Sequence, residues 1–519
     1  MAFSEVNFST VVFMQSIFPL PRQKIRGYFV RHKLKVILPP MSQKRPFSRN
    51  QRVELKIDDM AFEGKGISRV ETEDGKYVVF VPNTIPGQLV QAKIIKPKNS
   101  YAEAKLLKVL EASPLEVEMP YHPIPGAPYI TLPVEKQHEY KRKTTIELFR
   151  RIGKIENAEA LLDEFMSSPD NFHYRNKMEY SFSAVGYDRK TDEEFDGFTL
   201  GFKKRGQWLS VEQLSKDSGL FDADIENALP AISHYFTSRG FSAWHGLKHE
   251  GFCRFLTVKR SFHENGLLIN LVTTSSELDR FDPSDFTNFM KDILGNRLLG
   301  LVHTLNDDIG DRPLTTDGSQ TLLYGNKTIQ EEICGLKFRI SLESFFQTNP
   351  ASAERLYQKA LDYVFETAPG SRPVVMDLFS GTGTITQLLA QRSTDKEIIG
   401  VELIPQAVED AKQTAAENGL SNLKFYAADV GKFLLEHPEY TDQIDTIVMD
   451  PPRAGIAPKT LRKVIRLNAR RMVYVSCNPA TQARDMVTLT EAGYKLKKYS
   501  LVDQFPHTAH IESVALFER

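Results

Sequence analysis

From residue 373 onward the chain alternates short apolar strands with helices, and no other feature restricts the fold as strongly. Residues 374–379 form an apolar strand, and 385–391 open a helix. Residues 398–402 and 405–418 repeat the pair, with Gly419 as the stop signal. Residues 444–449, 472–476 and 509–517 supply further strands. This alternation predicts an open, doubly wound α/β sheet, whose ligands sit beyond the C-terminal ends of the strands.

Asp377-Leu378-Phe379-Ser380-Gly381-Thr382-Gly383 follows a strand and opens a helix, so Gly381 and Gly383 let the backbone approach a ligand closely. A dinucleotide fingerprint wants a third glycine where Thr386 stands, and no lysine follows the loop, which excludes a P-loop. Glu402 ends the next strand, placed to accept both hydroxyls of a ribose. Asp429 ends the third, within reach of an adenine amine. A glycine loop followed by two such acids fits S-adenosylmethionine better than NAD.

Asp450-Pro451-Pro452-Arg453 ends the fourth strand and Ser476-Cys477-Asn478-Pro479 the fifth. The first tetrapeptide alone suggests methyl transfer to a nitrogen. An amine is already nucleophilic, however, and has no use for a thiol. Cys253 and Cys334 read as small buried apolar residues. Cys477 instead precedes a helix whose N-terminus would favour a thiolate. Uracil C5 does need activation: a thiolate added at C6 generates an enolate whose C5 can attack a methyl sulfonium. The C5 proton must then leave to a base. Glu512, in an otherwise apolar strand, is one candidate. His507 and His510 are alternatives, and a plain surface role for Glu512 stays open.

Upstream, residues 45–112 read as short strands separated by turns at Gly64-Lys65-Gly66 and Pro86-Gly87, which suggests a small closed barrel. Its modest excess of Lys and Arg suits single-stranded nucleic acid, although such a barrel can also merely brace its neighbour. A Pro-rich joint follows (Pro114, Pro120, Pro123, Pro125, Pro128, Pro133), then a basic helix over 135–152. Residues 170–335 mix strands and helices without a clear pattern.

The 519 residues predict about three domains. Lys+Arg and Asp+Glu both total 66, which rules out a globally basic nucleic-acid coater but not a local basic face. Three cysteines point to a reducing compartment and are too few for a four-cysteine zinc or iron–sulfur site. No stretch approaches the roughly 20 apolar residues of a membrane helix. Residues 1–44 read as a leader: disordered, a transit peptide, or an over-extended start with Met41 as the initiator.

Taken together, these motifs resemble the RNA uracil-5-methyltransferase family, in particular the branch that modifies bacterial 23S ribosomal RNA. Phe346-Gln347-Thr348-Asn349-Pro350, residues 377–383, 450–453 and 476–479, and His510-Ile511-Glu512 match its motifs in order and spacing. Tyr174-Arg175-Asn176-Lys177 and residues 201–208 look like its central-domain signatures, and the barrel looks like its TRAM domain. The resemblance implies a class I (Rossmann-like) methyltransferase domain over 336–519, an OB-like TRAM barrel over 45–112 and an α+β central domain over 113–335, both binding RNA. It implies S-adenosylmethionine as cofactor, Cys477 as nucleophile and Glu512 as base. Gln347, Phe379, Glu402 and Asp450 would contact the cofactor, with Asp450 also near the target base. It further implies a cytoplasmic enzyme without membrane or obligate protein partner. Some members carry a four-cysteine iron–sulfur cluster, but residues 119–140 contain no cysteine. No cluster or other metal is therefore expected, and the Pro-rich joint should be held by packing alone. The alternatives are a transfer-RNA uracil-5-methyltransferase, an RNA cytosine-5-methyltransferase, and an RNA-binding or RNA-folding protein whose catalysis is secondary.

Overall fold

The computed structural model describes residues 45–519 except 74, 205, 314–318, 367–371 and 394, so the leader and Met41 lie outside the described residues. Six strands over residues 52–111 form the barrel. Its closure comes from one interrupted strand. Arg52–Lys56 pairs with Leu89–Pro97, whereas Asp59–Ala61 pairs with Lys65–Thr72 at the opposite end of the strand order. Between these halves, the N–H groups of Ile57 and Asp58 bond to Gln88 O (2.9 Å) and Ile67 O (2.7 Å). Closing the sheet this way removes its free edges. Alternate residues such as Leu55, Val79, Val81, Val90, Ala92 and Ile94 fill the inside.

The barrel is docked, not tethered. Tyr129 Oη donates to Gly64 O at 2.6 Å. Gly64 has φ +67°, and a Cβ there would lie 2.1 Å from that hydroxyl and 2.7 Å from Ala509 Cβ. The Gly64-Lys65-Gly66 turn thus sits against the segment that leads to Glu512.

The central region is a seven-stranded mixed sheet, ordered Val211–Gln213, Glu193–Lys203, Lys177–Asp188, Cys253–Ser261, Gly266–Thr273, Leu298–Leu305, Gln320–Gly325. The helices Ala223–Ser238 and Pro283–Leu294 share one aromatic-rich core with it. Phe286, Met290 and Leu294 form the buried stripe of the second helix at i, i+4 spacing. The Pro-rich joint is held by more than packing, contrary to the expectation. The His122 N–H donates to Asp217 O (2.9 Å), and His122 Nδ1 lies 3.1 Å from Ser215 Oγ. Arg189 bridges Pro123 O (2.8 Å) and Glu212 (2.6 Å). Proline removes donors from the joint, so side chains from the neighbouring strand region supply the bonds.

The C-terminal sheet has eight strands, ordered Leu423–Ala427, Glu397–Glu402, Val374–Leu378, Ile444–Met449, Arg471–Ser476, Glu512–Glu518, Lys495–Val502, Leu162–Met166. The first five are parallel, and Glu512–Glu518 inserts antiparallel to its two neighbours. The eighth strand, Leu162–Met166, comes from the segment the sequence reading placed in the central domain. So does the helix Val134–Arg151, whose Phe149 packs 4.7 Å from Tyr499. Its Lys141 makes a buried ion pair with Asp503 (2.7 Å). Among the described residues no helix is long and apolar enough to cross a membrane.

Candidate active site

Beyond the buried strand Val374–Leu378 the chain turns sharply, with Phe379 at φ 68°, Gly381 at 54° and Gly383 at 77°. A left-handed phenylalanine is strained, and such residues concentrate at functional turns. The N–H groups of Phe379 and Ser380 both donate to Val401 O (2.9 and 3.0 Å), which locks the loop to the next strand. At Gly383 a Cβ would also meet the Phe425 ring at 2.6 Å, while at Gly381 the space is open and only φ demands glycine. Glu402 lies beside this loop. Its Oε2 accepts the Gly381 N–H (2.9 Å) and its Oε1 the Ile404 N–H (3.0 Å), so each oxygen keeps a free acceptor site. Leu403 and Ile404 form an apolar ledge next to it, 64% and 57% exposed. Asp429 is exposed past the third strand, where its Oδ1 caps the helix Val430–Glu436 through the Lys432 N–H (3.0 Å). Its Oδ2 is the atom left for a ligand.

On the opposite wall, Gln347 Oε1 accepts from Gln504 Nε2 (3.0 Å), and Gln347 O accepts from Asn176 Nδ2 (2.9 Å). Buried Tyr357 lies close enough to Gln347 to feel its side chain. Gln504 and Tyr357 carry no sequence signal. Asn176 lies in the Tyr174–Lys177 signature, and its role here is to pin the Gln347 loop to the central sheet.

At the reaction end, Ser476 pairs with Ser513 across the antiparallel ladder, so Cys477 and Glu512 occupy the next step of the same pair of strands. Asp450 closes the neighbouring strand, its N–H bonded to Leu378 O (3.3 Å). The four groups Cys477, Glu512, Asp450 and Arg453 act on one another. Burial, then the charge of Asp450, pushes the Glu512 carboxyl up to about 8, with Arg453 opposing. Burial alone lifts Asp450 to about 6. The Cys477 thiol is raised to about 11 by burial and then by the charges of Glu512 and Asp450. This reverses the expectation of a thiolate favoured by the helix that follows. The helix Pro479–Glu491 is capped by the Asn478 side chain, which takes the Ala480 N–H (3.1 Å), and Pro479 has no N–H to offer. Burial, reinforced by the two carboxyl groups, therefore outweighs the helix terminus and favours the thiol form.

Both histidines are held by hydrogen bonds, His507 away from the Cys477–Glu512 pair and His510 on Arg453. His507 is buried, stacked on Phe172 (4.6 Å) and bonded through Nδ1 to Gln137 (3.1 Å). Burial holds it down to about 4. His510 Nδ1 accepts from Arg453 (2.8 Å), and loss of surrounding water, then the guanidinium, lowers it to about 4 as well. Cys253 is buried and Cys334 half-buried, in hydrophobic clusters away from this pair. Among the described residues no group of three or more His, Cys, Asp or Glu could hold a metal ion.

Residues 324–519 match the family model described as tRNA (Uracil-5-)-methyltransferase, and residues 46–107 match that of the TRAM domain. A protein of Caldanaerobacter subterraneus described as an uncharacterized RNA methyltransferase is 36% identical over 476 residues, 91% of this chain and 100% of that one. One of Chlorobaculum tepidum with the same description is 35% identical over 90% of this chain and 96% of its own length. The chain belongs to the RNA uracil-5-methyltransferase family. The solved structure of Pyrococcus abyssi tRNA (uracil-54, C5)-methyltransferase with S-adenosyl-L-homocysteine shares the fold. Its TM-score is 0.63 at 23% identity, over 90% of this chain and 100% of that one. Membership in this family makes S-adenosylmethionine the cofactor, and the residues present fit it. Asp377 Oδ1 and Ser380 Oγ are buried without a hydrogen-bond partner under the loop, as is Gln504 Oε1 beside Gln347. Asp377, raised to about 7 by burial, keeps one oxygen on Thr386 (2.6 Å). Orphaned polar atoms at this density call for a polar ligand.

Proposed function

We propose that this methyltransferase forms 5-methyluridine in RNA, with Cys477 as nucleophile and Glu512 as base. The observation that carries the reading is the placement of Cys477 and buried Glu512 on adjacent strands beside Asp450. Cys477 passes its thiol proton to the neighbouring Asp450 carboxylate as Sγ bonds to uracil C6, and the electron pair moves toward O4, which makes C5 nucleophilic. When bound, S-adenosylmethionine supplies the methyl group to C5. Glu512 takes the C5 proton, and Cys477 then leaves by elimination. Asp450 borders the cofactor and the target base, and Arg453 offsets the negative charge around the thiol. Glu402 and Asp429 hold the ribose and adenine, with Leu403 and Ile404 as the apolar surface under the ring. Gln347, Phe379, Gly381 and Gly383 line the remainder of the cofactor site. A uracil in folded RNA is stacked and must be extruded to reach Cys477.

The substrate we favour is 23S ribosomal RNA, supported by the TRAM barrel at the N-terminal side. The name of the Pyrococcus abyssi enzyme makes transfer RNA the competing substrate. Mapping 5-methyluridine in both RNAs from a deletion strain decides between them. The chemistry is tested with 5-fluorouridine RNA, which should trap a covalent adduct that survives denaturation. Cys477→Ala should form none and lose methylation by about four orders of magnitude or more, while still binding cofactor. Turnover by that variant would remove Cys477 from the mechanism.

A further inference from the structure

The chain has two tryptophans, and both line one groove of the central sheet, remote in sequence from every catalytic motif. Trp208 is 53% exposed. Its ring packs against Gly246, where a Cβ would come within 2.6 Å of the ring edge. Leu247 and Ile309 stand exposed beside it. Large apolar side chains clustered at a surface mark a contact site. The groove is also built rigidly. Arg254, 1% exposed, lies 4.4 Å from the Trp244 ring, and its guanidinium donates to Asn306 O (2.7 Å), Asp308 O (2.5 Å) and Gly310 O (2.7 Å). Its Nε is buried with no partner.

Lysines border the groove, two of them matched by aspartates. Lys203, paired with Asp311, lines the groove, and Lys204 sits over the Tyr187 ring at 3.7 Å. The barrel strand Tyr101–Glu111 borders the same loop. Lys105 Nζ would be 3.1 Å from a Cβ at Gly206, and Lys108 helps hold the Asp192 carboxyl below its usual range, after Tyr187 and Lys204. The groove also has a defined position relative to the catalytic end. Asn176, which anchors the Gln347 loop, precedes the strand Lys177–Asp188, and Ser181 and Ser183 of that strand line the groove. Lys177 and Ser183 share a face by alternation, about 20 Å apart along the strand.

We propose that the Trp208–Trp244 groove is a second RNA-contact site outside the catalytic cleft, where an unpaired base of the substrate stacks on Trp208 while neighbouring lysines meet its phosphates. The proposal rests on RNA being the substrate. A flat aromatic face rimmed by lysines suits a base and its backbone, since every base has a π-face and stacking is worth roughly a five- to hundred-fold change in affinity.

Because both tryptophans lie in the groove, tryptophan emission, excited selectively over the 18 tyrosines, reports on this site. Titrating the full chain with a single-stranded, uridine-containing RNA should quench it saturably. Trp208→Leu should weaken RNA binding and raise KM for RNA by about tenfold, with kcat and cofactor affinity unchanged, and Trp208→Phe should restore most of the loss. RNA binding without quenching, or an unaltered KM in Trp208→Leu, would overturn the proposal, as would a protein partner that quenches where RNA does not. Quenching and weakened binding in a protein that transfers no methyl group would leave the site standing and defeat the activity instead.

Discussion

Asp222 in the central region and Glu512 in the C-terminal sheet are each 3% exposed, yet their surroundings are opposite. Asp222 is gripped by Arg297 through two bonds (2.6 and 3.0 Å), approached by Arg260 at 3.5 Å, and caps the helix Ala223–Ser238 through the Ile225 N–H (3.3 Å). Glu512 feels the like charge of Asp450 more than the opposite charge of Arg453. Asp377 continues the second pattern, with one oxygen unpartnered, whereas Lys259 departs from the first: it donates only to Ser341 O and Ser344 O, and burial lowers it to about 8. Buried charge that is matched on all sides builds architecture. Buried charge left unmatched stores a tendency to exchange protons, and Glu512, Asp450 and Asp377 bring three such groups together at the strand ends of the C-terminal sheet.

The sharpest break of this contrast is Glu512→Gln. It preserves shape but removes the base, so the reaction should stall after methyl transfer with the enzyme still bonded at C6. We expect turnover to fall by about two to four orders of magnitude and a methylated protein–RNA complex to accumulate on ordinary uridine. A denaturing gel with methyl-labelled cofactor would show it as a slow band, absent from His507 and His510 variants. As the proposed base, Glu512 would work only when ionised, so release should quicken as pH rises toward about 8. Normal product from Glu512→Gln would remove it from the mechanism.

The same test on the matched side should strike stability. Asp222→Ala leaves Arg297 and Arg260 without their partner and should cost about 3–5 kcal/mol, read from denaturant unfolding, with kcat of the folded fraction unaltered. Gly64→Ala probes the junction between regions. Forcing a Cβ against Tyr129 and Ala509 at a left-handed φ should cost about 1–3 kcal/mol and lower activity by disturbing the segment before Glu512. Equal stability there would mean that the barrel turn is free to move off.

A last effect concerns pH. Glu512 is raised in the fold from an ordinary 4.5 to about 8, so its protonated form is the one the fold prefers. That contribution is complete below about 4.5 and is lost as pH rises through about 8. Glu512→Gln cannot lose it. Its melting temperature should match wild type near pH 4 and exceed it by a few degrees at pH 9. A constant difference across that range would place the Glu512 carboxyl in an ordinary environment.

The motifs at strand ends were readable because each pairs a backbone requirement with a chemical one, as Gly381 and Glu402 do. The barrel was readable because its strands alternate. The central sheet was not, since Gly266–Thr273 is buried on both faces and Cys253–Ser261 nearly so, which erases the period of two. Leu162–Met166 was invisible for another reason: Leu-Asp-Glu-Phe-Met has no apolar run, and its place is set by a partner far along the chain. The elevated Cys477 thiol was also beyond reach, because it depends on Glu512 and Asp450 converging from other strands.

A ribosome completes Leu162–Met166 about 330 residues before it completes the strand Lys495–Val502 that receives it. At cellular elongation rates that is a delay on the order of tens of seconds. Throughout it, the helix Val134–Arg151 has no Asp503 for its Lys141 and no Tyr499 for its Phe149. The nascent chain must therefore carry an unfinished apolar surface until its last turn is made. A cut near residue 335 would give neither half a complete set of elements, and a chimera that exchanges the catalytic half between relatives must transplant residues 134–166 along with it.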